Sequence, residues 1–143
     1  MARKMSRAEC WEFMTAQAHT AKLATVRPDG RPHVVPIWFA RDGEQIVFTT
    51  WHTSVKARNL RHNPWLSLCV DDEAPPFTYV KVEGTAEFSG DLDELRHWAT
   101  RIAARYMGAD LAEAYGRRNA VAGELLVRVT PTDIMGEDDV AGW

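Results

Sequence analysis

The sequence predicts a mainly β (α+β) fold in which about six antiparallel strands close a small barrel around one core, with helices at its flanks. Three observations lead there. Short runs rich in β-branched and aromatic residues recur along the 143 residues, bounded by Gly, Pro and Asp. The first strand candidates are joined by tight turns, Arg27-Pro28-Asp29-Gly30-Arg31 and Arg41-Asp42-Gly43, too short for a crossover helix. Helical periodicity is confined to the N-terminal segment, one short stretch in the middle and the region after Asp91.

Ser6 followed by Glu9 is a capping box, and Trp11, Met14 and Ala18 recur at helical spacing, so a helix is expected from Ser6 to about residue 18. Residues 21–26, 33–40 and 45–50 read as three strands, and their closeness in sequence predicts an antiparallel meander. Pro36 lies inside the second of them. Proline cannot donate to the ladder, which puts this strand at a sheet edge or a bulge and leaves backbone groups for a ligand. A short helix covers residues 53–61, stopped by Asn63-Pro64. Strands follow at residues 65–71 and 78–88, with Gly84 marking a bend or bulge. Residues 91–107 form the clearest helix, with an apolar stripe of Leu92, Leu95, Trp98, Ile102 and Tyr106. A shorter helix spans 109–117, a sixth strand spans 124–130, and the acidic tail after it reads as irregular. No repeat or low-complexity linker divides the chain, so residues 1–143 are read as a single domain.

Composition narrows the function classes. A formal net charge of -3 argues against nucleic-acid binding without excluding a local basic pocket for a small anion. Two cysteines, Cys10 and Cys69, are too few for a disulfide framework and read as reduced, buried thiols. No apolar run approaches the ~20 residues of a membrane span, and the basic N-terminus lacks an apolar signal core, so a cytoplasmic protein is expected. The five histidines fall into no ligand pattern, and GxSxG, P-loop and GxGxxG motifs are absent. No nucleophile stands beside an obvious base, an arrangement compatible with a redox protein whose cofactor carries the hydride.

Two segments could carry chemistry. In Thr49–Leu60, TTWHTSVKARNL, a strand ending in hydroxyl residues runs straight into a helix start. The free N–H groups of a helix N-terminus attract anions. Thr50, Thr53 and Ser54 can hydrogen-bond a phosphate, Lys56 adds a mobile positive charge, and Arg58 and Arg61 lie nearby. An ordinary capped helix with a solvated basic face accounts for the same residues. In His33–Phe39, HVVPIWF, an apolar and aromatic strand broken by proline offers the flat wall that a flavin-type ring needs, and equally a core strand. Trp51 lies beside the phosphate candidate, and the six tryptophans suit a core or an interface.

Three phrases in this order and spacing, AKLATVRPDGRPHVVPIWF, IVFTTWHTSVKARNLRHNP and YVKVEGTAEF, resemble the pyridoxamine-phosphate-oxidase-like split β-barrel superfamily over about half the chain. Within it the phrasing is most similar to the branch that uses the deazaflavin coenzyme F420, whereas founding members use FMN. The resemblance implies a six-stranded antiparallel split barrel, an obligate homodimer and two cofactor sites at the interface. Carried onto this chain, it implies phosphate contacts at Thr50, Ser54 and Lys56, with Arg58 and Asn59 beside them. It places Val35, Pro36, Ile37 and Trp38 along the ring, adds Tyr79 and Lys81 from the fifth strand, and makes Trp143 a candidate contact in the other subunit's pocket. Arg3, Lys4 and Arg7 are candidates for the acidic tail of a deazaflavin. Val55 stands where FMN-using oxidases of the superfamily often carry arginine, and Tyr79 replaces their glutamine. The C-terminal Arg/His pattern that holds pyridoxal phosphate is also absent, so vitamin B6 oxidation is not expected. The implied activity is a reductase passing a hydride from reduced F420 to a conjugated acceptor such as biliverdin, an enone or a nitro compound. FMN chemistry and a non-catalytic flavin or haem carrier are the alternatives.

Overall fold

A computed structural model describes residues 1–142. The elements in chain order are β1 (Arg3–Lys4), α1 (Arg7–Ala16), β2 (Ala21–Val26), β3 (Pro32–Ile37), β4 (Ala40–Asp42), β5 (Gln45–Trp51), α2 (Val55–His62), β6 (Trp65–Asp71), β7 (Tyr79–Ser89), α3 (Leu92–Met107), α4 (Ala109–Asn119) and β8 (Glu124–Asp138). The strands form one eight-stranded antiparallel sheet in the order β3-β2-β6-β7-β8-β5-β4, with β1 on the far part of β8.

Local chemistry sets the boundaries. The capping box forms at α1: the Glu9 N–H donates to Ser6 Oγ at 3.1 Å and the Ser6 N–H donates to Glu9 Oε1 at 3.1 Å. The Glu9 carboxyl is held down to about 2, chiefly by the bond from Arg3 and then by the Ser6 N–H. Gly30 takes φ +90 in the turn between β2 and β3, a conformation that costs other residues. Pro36 sits on an edge strand, where its missing N–H breaks no interior ladder.

The two longest strands, β7 and β8, bend together. Glu83 faces Asp133 and Gly84 faces Pro131, so Thr132 is one residue extra on β8. Gly84 is required at this bulge because a Cβ there would run into the Thr130 carbonyl oxygen. The bend lets the sheet curl until Ile37, Leu23, Leu68, Val82, Val127, Phe48 and α1's Met14 share one buried cluster. On the other face of β5, Val47 packs with Leu126, Leu95 and Trp98 to seat α3. Residues 46–48 are buried throughout, which explains why that strand reads as a continuous apolar run rather than an alternation.

Arg105, near the end of α3, ties three segments together. Its guanidinium donates to the carbonyls of Phe39 (2.8 Å), Met14 (2.6 Å) and Gln17 (2.7 Å), and it lies 4.4 Å over the Phe39 ring. The neighbouring Tyr106 hydroxyl donates to His19 O at 2.6 Å and accepts from the Phe39 N–H at 3.3 Å.

Four expectations are corrected. The sheet has eight strands rather than six. The segment 33–40 is two strands, because the backbone of Trp38 and Phe39 leaves the ladder and Phe39 bonds to α3 instead. That break carries the chain across the molecule, so β5 pairs with β4 and β8 and not with β3, and the meander stops at β2–β3. The acidic tail is strand as far as Asp138, where Arg3 of β1 pairs with Asp138 at 3.3 Å and with Glu9 at 2.8 Å. Cys10 is buried as expected and Cys69 is half-buried; both are free thiols.

Arg105→Met keeps the apolar stem and strips the carbonyls of Phe39, Met14 and Gln17 of their donors. It is expected to cost about 2–4 kcal/mol, the range for breaking a buried polar network. Urea unfolding followed by circular dichroism measures it.

Candidate functional site

The break after β3 builds a cleft. Trp38 is held parallel to the Tyr106 ring, with centroids 5.0 Å apart and planes 3° from parallel, yet 41% of its surface stays exposed. The tyrosine is fixed by its two backbone bonds, so the indole is presented as a set plate. Pro36 and Ile37 extend this wall. The opposite side comes from Ala99, Ile102 and Ala103 of α3 and Tyr115 and Asn119 of α4. Thr49 and Lys56 complete a cavity of about 310 Å³.

The turn from β5 into α2 sets Lys56. Ser54 is the N-cap: its Oγ accepts the Ala57 N–H at 3.2 Å and lies 2.8 Å from Thr50 Oγ1. Capping places Lys56 in the first helical turn, where orphan N–H groups and the helix dipole favour an anion. Burial lowers the Lys56 pKa from the usual lysine range, and Glu124 opposes that shift. No salt bridge reaches Lys56 among the described residues. The Glu124 carboxylate thus offsets part of the burial cost of this cation without a direct ion pair. Glu124, in turn, has its pKa raised by burial, opposed by Lys56 and by Arg118. Polar groups thus gather where α2 and α4 approach the start of β8, and apolar ones where β3 faces α3.

Of the residues singled out from sequence, Pro36, Ile37, Trp38 and Lys56 line this cleft together. Val35 packs against the core from the inner face of β3. Thr50 is buried at 5% exposure, with its hydroxyl engaged by Ser54, so both hydroxyls stabilise the turn beneath Lys56. Arg58 is exposed on α2. Asn59 is buried and donates to Thr25 Oγ1 at 3.0 Å, fastening α2 to β2. Tyr79 begins β7 opposite Asp71 and Glu137, outside the cleft lining, and Lys81 is exposed on the same strand. Arg3 and Arg7 are occupied by Glu9, Asp138 and Glu44. Trp143 lies outside the described residues. Thr49, Ala99, Ile102, Ala103, Tyr115 and Asn119 were not singled out as site residues. The signal for the last pair was its four-residue spacing on a short amphipathic helix, which puts both on one face.

Among the described residues no three His, Cys, Asp or Glu are grouped to hold a metal, and no helix is long and apolar enough to cross a membrane.

Comparisons with known proteins agree with this fold. A family model described as pyridoxamine 5'-phosphate oxidase matches residues 7–135. An F420H2-dependent biliverdin reductase of Mycobacterium tuberculosis is 31% identical over 93 residues, covering 64% of this chain and 66%, just under two thirds, of the relative. A crystal structure of a conserved hypothetical protein from the same organism superposes with a TM-score of 0.82 at 28% identity, covering 95% of this chain and 86% of that one. A solved structure named F420 reductase is 31% identical with a TM-score of 0.67, covering 86% and 94%.

The depressed Lys56 pKa has a sign that can be checked. The folded state holds this proton less tightly than the unfolded chain, so folding is penalised below the folded pKa and the penalty disappears as pH rises into the usual lysine range. Relative to Lys56→Met, the wild type is expected to gain stability as pH rises through that window. Urea titrations of both proteins at a series of alkaline pH values measure it, and parallel pH dependences would contradict it.

Proposed function

This chain belongs to the pyridoxamine 5'-phosphate oxidase family, and from that membership we propose that it is an F420H2-dependent reductase acting on a conjugated organic acceptor. The observation that carries the proposal is a half-buried Lys56 with no salt-bridge partner among the described residues, set at a helix N-terminus across from a flat apolar plate. Such a cleft suits a ligand that is a planar ring at one end and an anion at the other. The relatives named for F420 support the cofactor.

Bound deazaflavin would supply the hydride chemistry. The residues of this chain do the rest. Lys56 and the first-turn N–H groups of α2 receive the cofactor phosphate. Trp38, fixed by Tyr106, and Pro36 support the ring. Ile37 and Ile102 add apolar lining to the cleft. The biliverdin reductase gives a linear tetrapyrrole as the first acceptor to try, with enones and nitro compounds after it.

We propose in addition that the protein works as a homodimer. Val34 and Trp65, 64% and 53% exposed, stand on the outer surface of the β3-β2-β6 side of the sheet. There Ala24, Val26, Pro32 and Trp65, with Ser67 and Glu83 beside them, line a groove of about 350 Å³. Apolar surface of this kind marks an association face.

Two measurements test the proposal. Titration of the apo-protein with F420 and, in parallel, FMN, followed by tryptophan fluorescence, is expected to show tight binding of F420. Lys56→Ala should weaken it by roughly 1.5–3 kcal/mol, the scale of a charge-assisted bond. Preference for FMN would move the protein to the flavin-using side of the family, and binding of neither would remove the proposed function. Light scattering is expected to give a dimer that Trp65→Lys converts to monomer; a wild-type monomer would remove the shared interface.

A further inference from the structure

Beside Lys56 stands a carboxylate that the phosphate argument does not use. Glu124 opens β8 and pairs with Trp51, the last residue of β5, so its backbone lies next to the turn that leads into α2. Several bonds fix that neighbourhood. The His52 N–H donates to the Gly123 carbonyl at 2.8 Å, and His52 Nδ1 lies 3.0 Å from the same oxygen. Arg61 donates to the His52 carbonyl at 2.7 Å, and the Glu124 N–H donates to Val121 O at 3.0 Å. Gly123 takes φ +100, and the Trp51 ring fills the space where a Cβ would stand. The Glu124 backbone is therefore on a rigid support.

The Glu124 side chain is half-buried and, among the described residues, takes part in no salt bridge. Lys56 and Arg118 are the charges that act on it, and Glu124 is the charge that acts on Lys56. Two half-buried opposite charges thus interact without closing to ion-pair distance. The first turn of α2 has no acidic residue of its own, so negative charge reaches this anion site from β8. Lys56, Arg118 and Glu124 together leave one net positive charge, which balances a monoanion and not a dianion.

We infer that Glu124 is a specificity residue that turns the Lys56 anion site toward a phosphodiester and against a phosphomonoester. A fixed carboxylate repels an anion in proportion to the anion's charge. A diester carries one negative charge, and a monoester carries close to two at pH 8, above its second pKa of about 6. F420 holds its phosphate as a diester and FMN as a monoester. The repulsion energy doubles between them, so whatever factor Glu124 removes from the affinity of a diester, it removes the square of that factor from a monoester. This inference rests on the cofactor reading above and involves only the anion end of the ligand.

FMN and its monomethyl phosphate ester isolate the charge, because they share ring and ribityl chain and differ by one charge at the phosphate. Wild type and the isosteric, uncharged Glu124→Gln are titrated at pH 8 with F420 and with both flavins. Tryptophan fluorescence reports binding and thermal melts check folding. Glu124→Gln is expected to tighten the methyl ester about threefold, the Coulomb factor for unit charges roughly 6 Å apart in a water-like dielectric, and FMN about tenfold. Equal gains for the two flavins, no gain, or a loss would overturn the inference, and the function proposal would stand as long as wild type binds F420. Where the flavins bind wild type too weakly to read, FMN binding that appears in Glu124→Gln supports the inference and its continued absence overturns it. Should Glu124→Gln fail to fold, Glu124→Ala decides by the same comparison. A wild type that does not bind F420 would remove the cofactor reading together with this one.

Discussion

One guanidinium holds the parts of this molecule that matter for its cleft. Arg105 bonds the end of α1, the segment leading to β2 and the break between β3 and β4, all from α3. Without it the carbonyls of Met14, Gln17 and Phe39 lose their donors at the point where the backbone leaves the sheet. Burial lowers the pKa of this arginine, which still remains a cation throughout the physiological range. Its neighbour Tyr106 turns the same anchoring into a surface feature, because a ring with a fixed hydroxyl fixes the tryptophan stacked on it. The path from sequence to site is therefore short. An Arg-Tyr pair in the last turn of a helix determines where an edge strand ends, and the end of that strand determines where an aromatic plate stands.

A second constraint is the bulge at Glu83/Gly84. Long strands paired without interruption make a shallow twisted sheet, and an extra residue with a glycine opposite it concentrates the bend. The bend brings Ile37, from one end of the sheet, into the same cluster as Ile46 and Phe48, from near the other. The β3 wall and α2 reach a common cleft through that closure.

Much of this was legible in the sequence, and the reasons differ by element. Capping boxes, glycine turns and the edge proline are local chemistry, so Ser6–Glu9, Gly30, Pro36 and Gly84 could each be read from a few neighbouring letters. The split of residues 33–40 could not, because what ends β3 is a pair of bonds from Arg105 and Tyr106, some 66 residues away along the chain. The tail was misread for a similar reason: DIMGEDD lacks an apolar pattern, and it becomes strand because β7 and β1 supply the ladder on either side. At the site, Lys56 and Trp38 stood out through charge and flatness. Ala99 and Ala103 stood out through nothing, since an alanine that leaves space looks like an alanine that fills it. Thr50 and Ser54 have hydroxyls of the right kind in the right place, and they lie 2.8 Å apart at the turn into α2.

The fifteen-residue β8 has β5, β7 and β1 as partners, and it follows all of them in the chain. A nascent polypeptide therefore emerges with the β7 edge and the doubly apolar β5 exposed until residues 124–138 leave the ribosome. Such edges template pairing between chains. The helical hairpin made just before β8 is what this chain offers, during synthesis, against assembling with its neighbours in the wrong way.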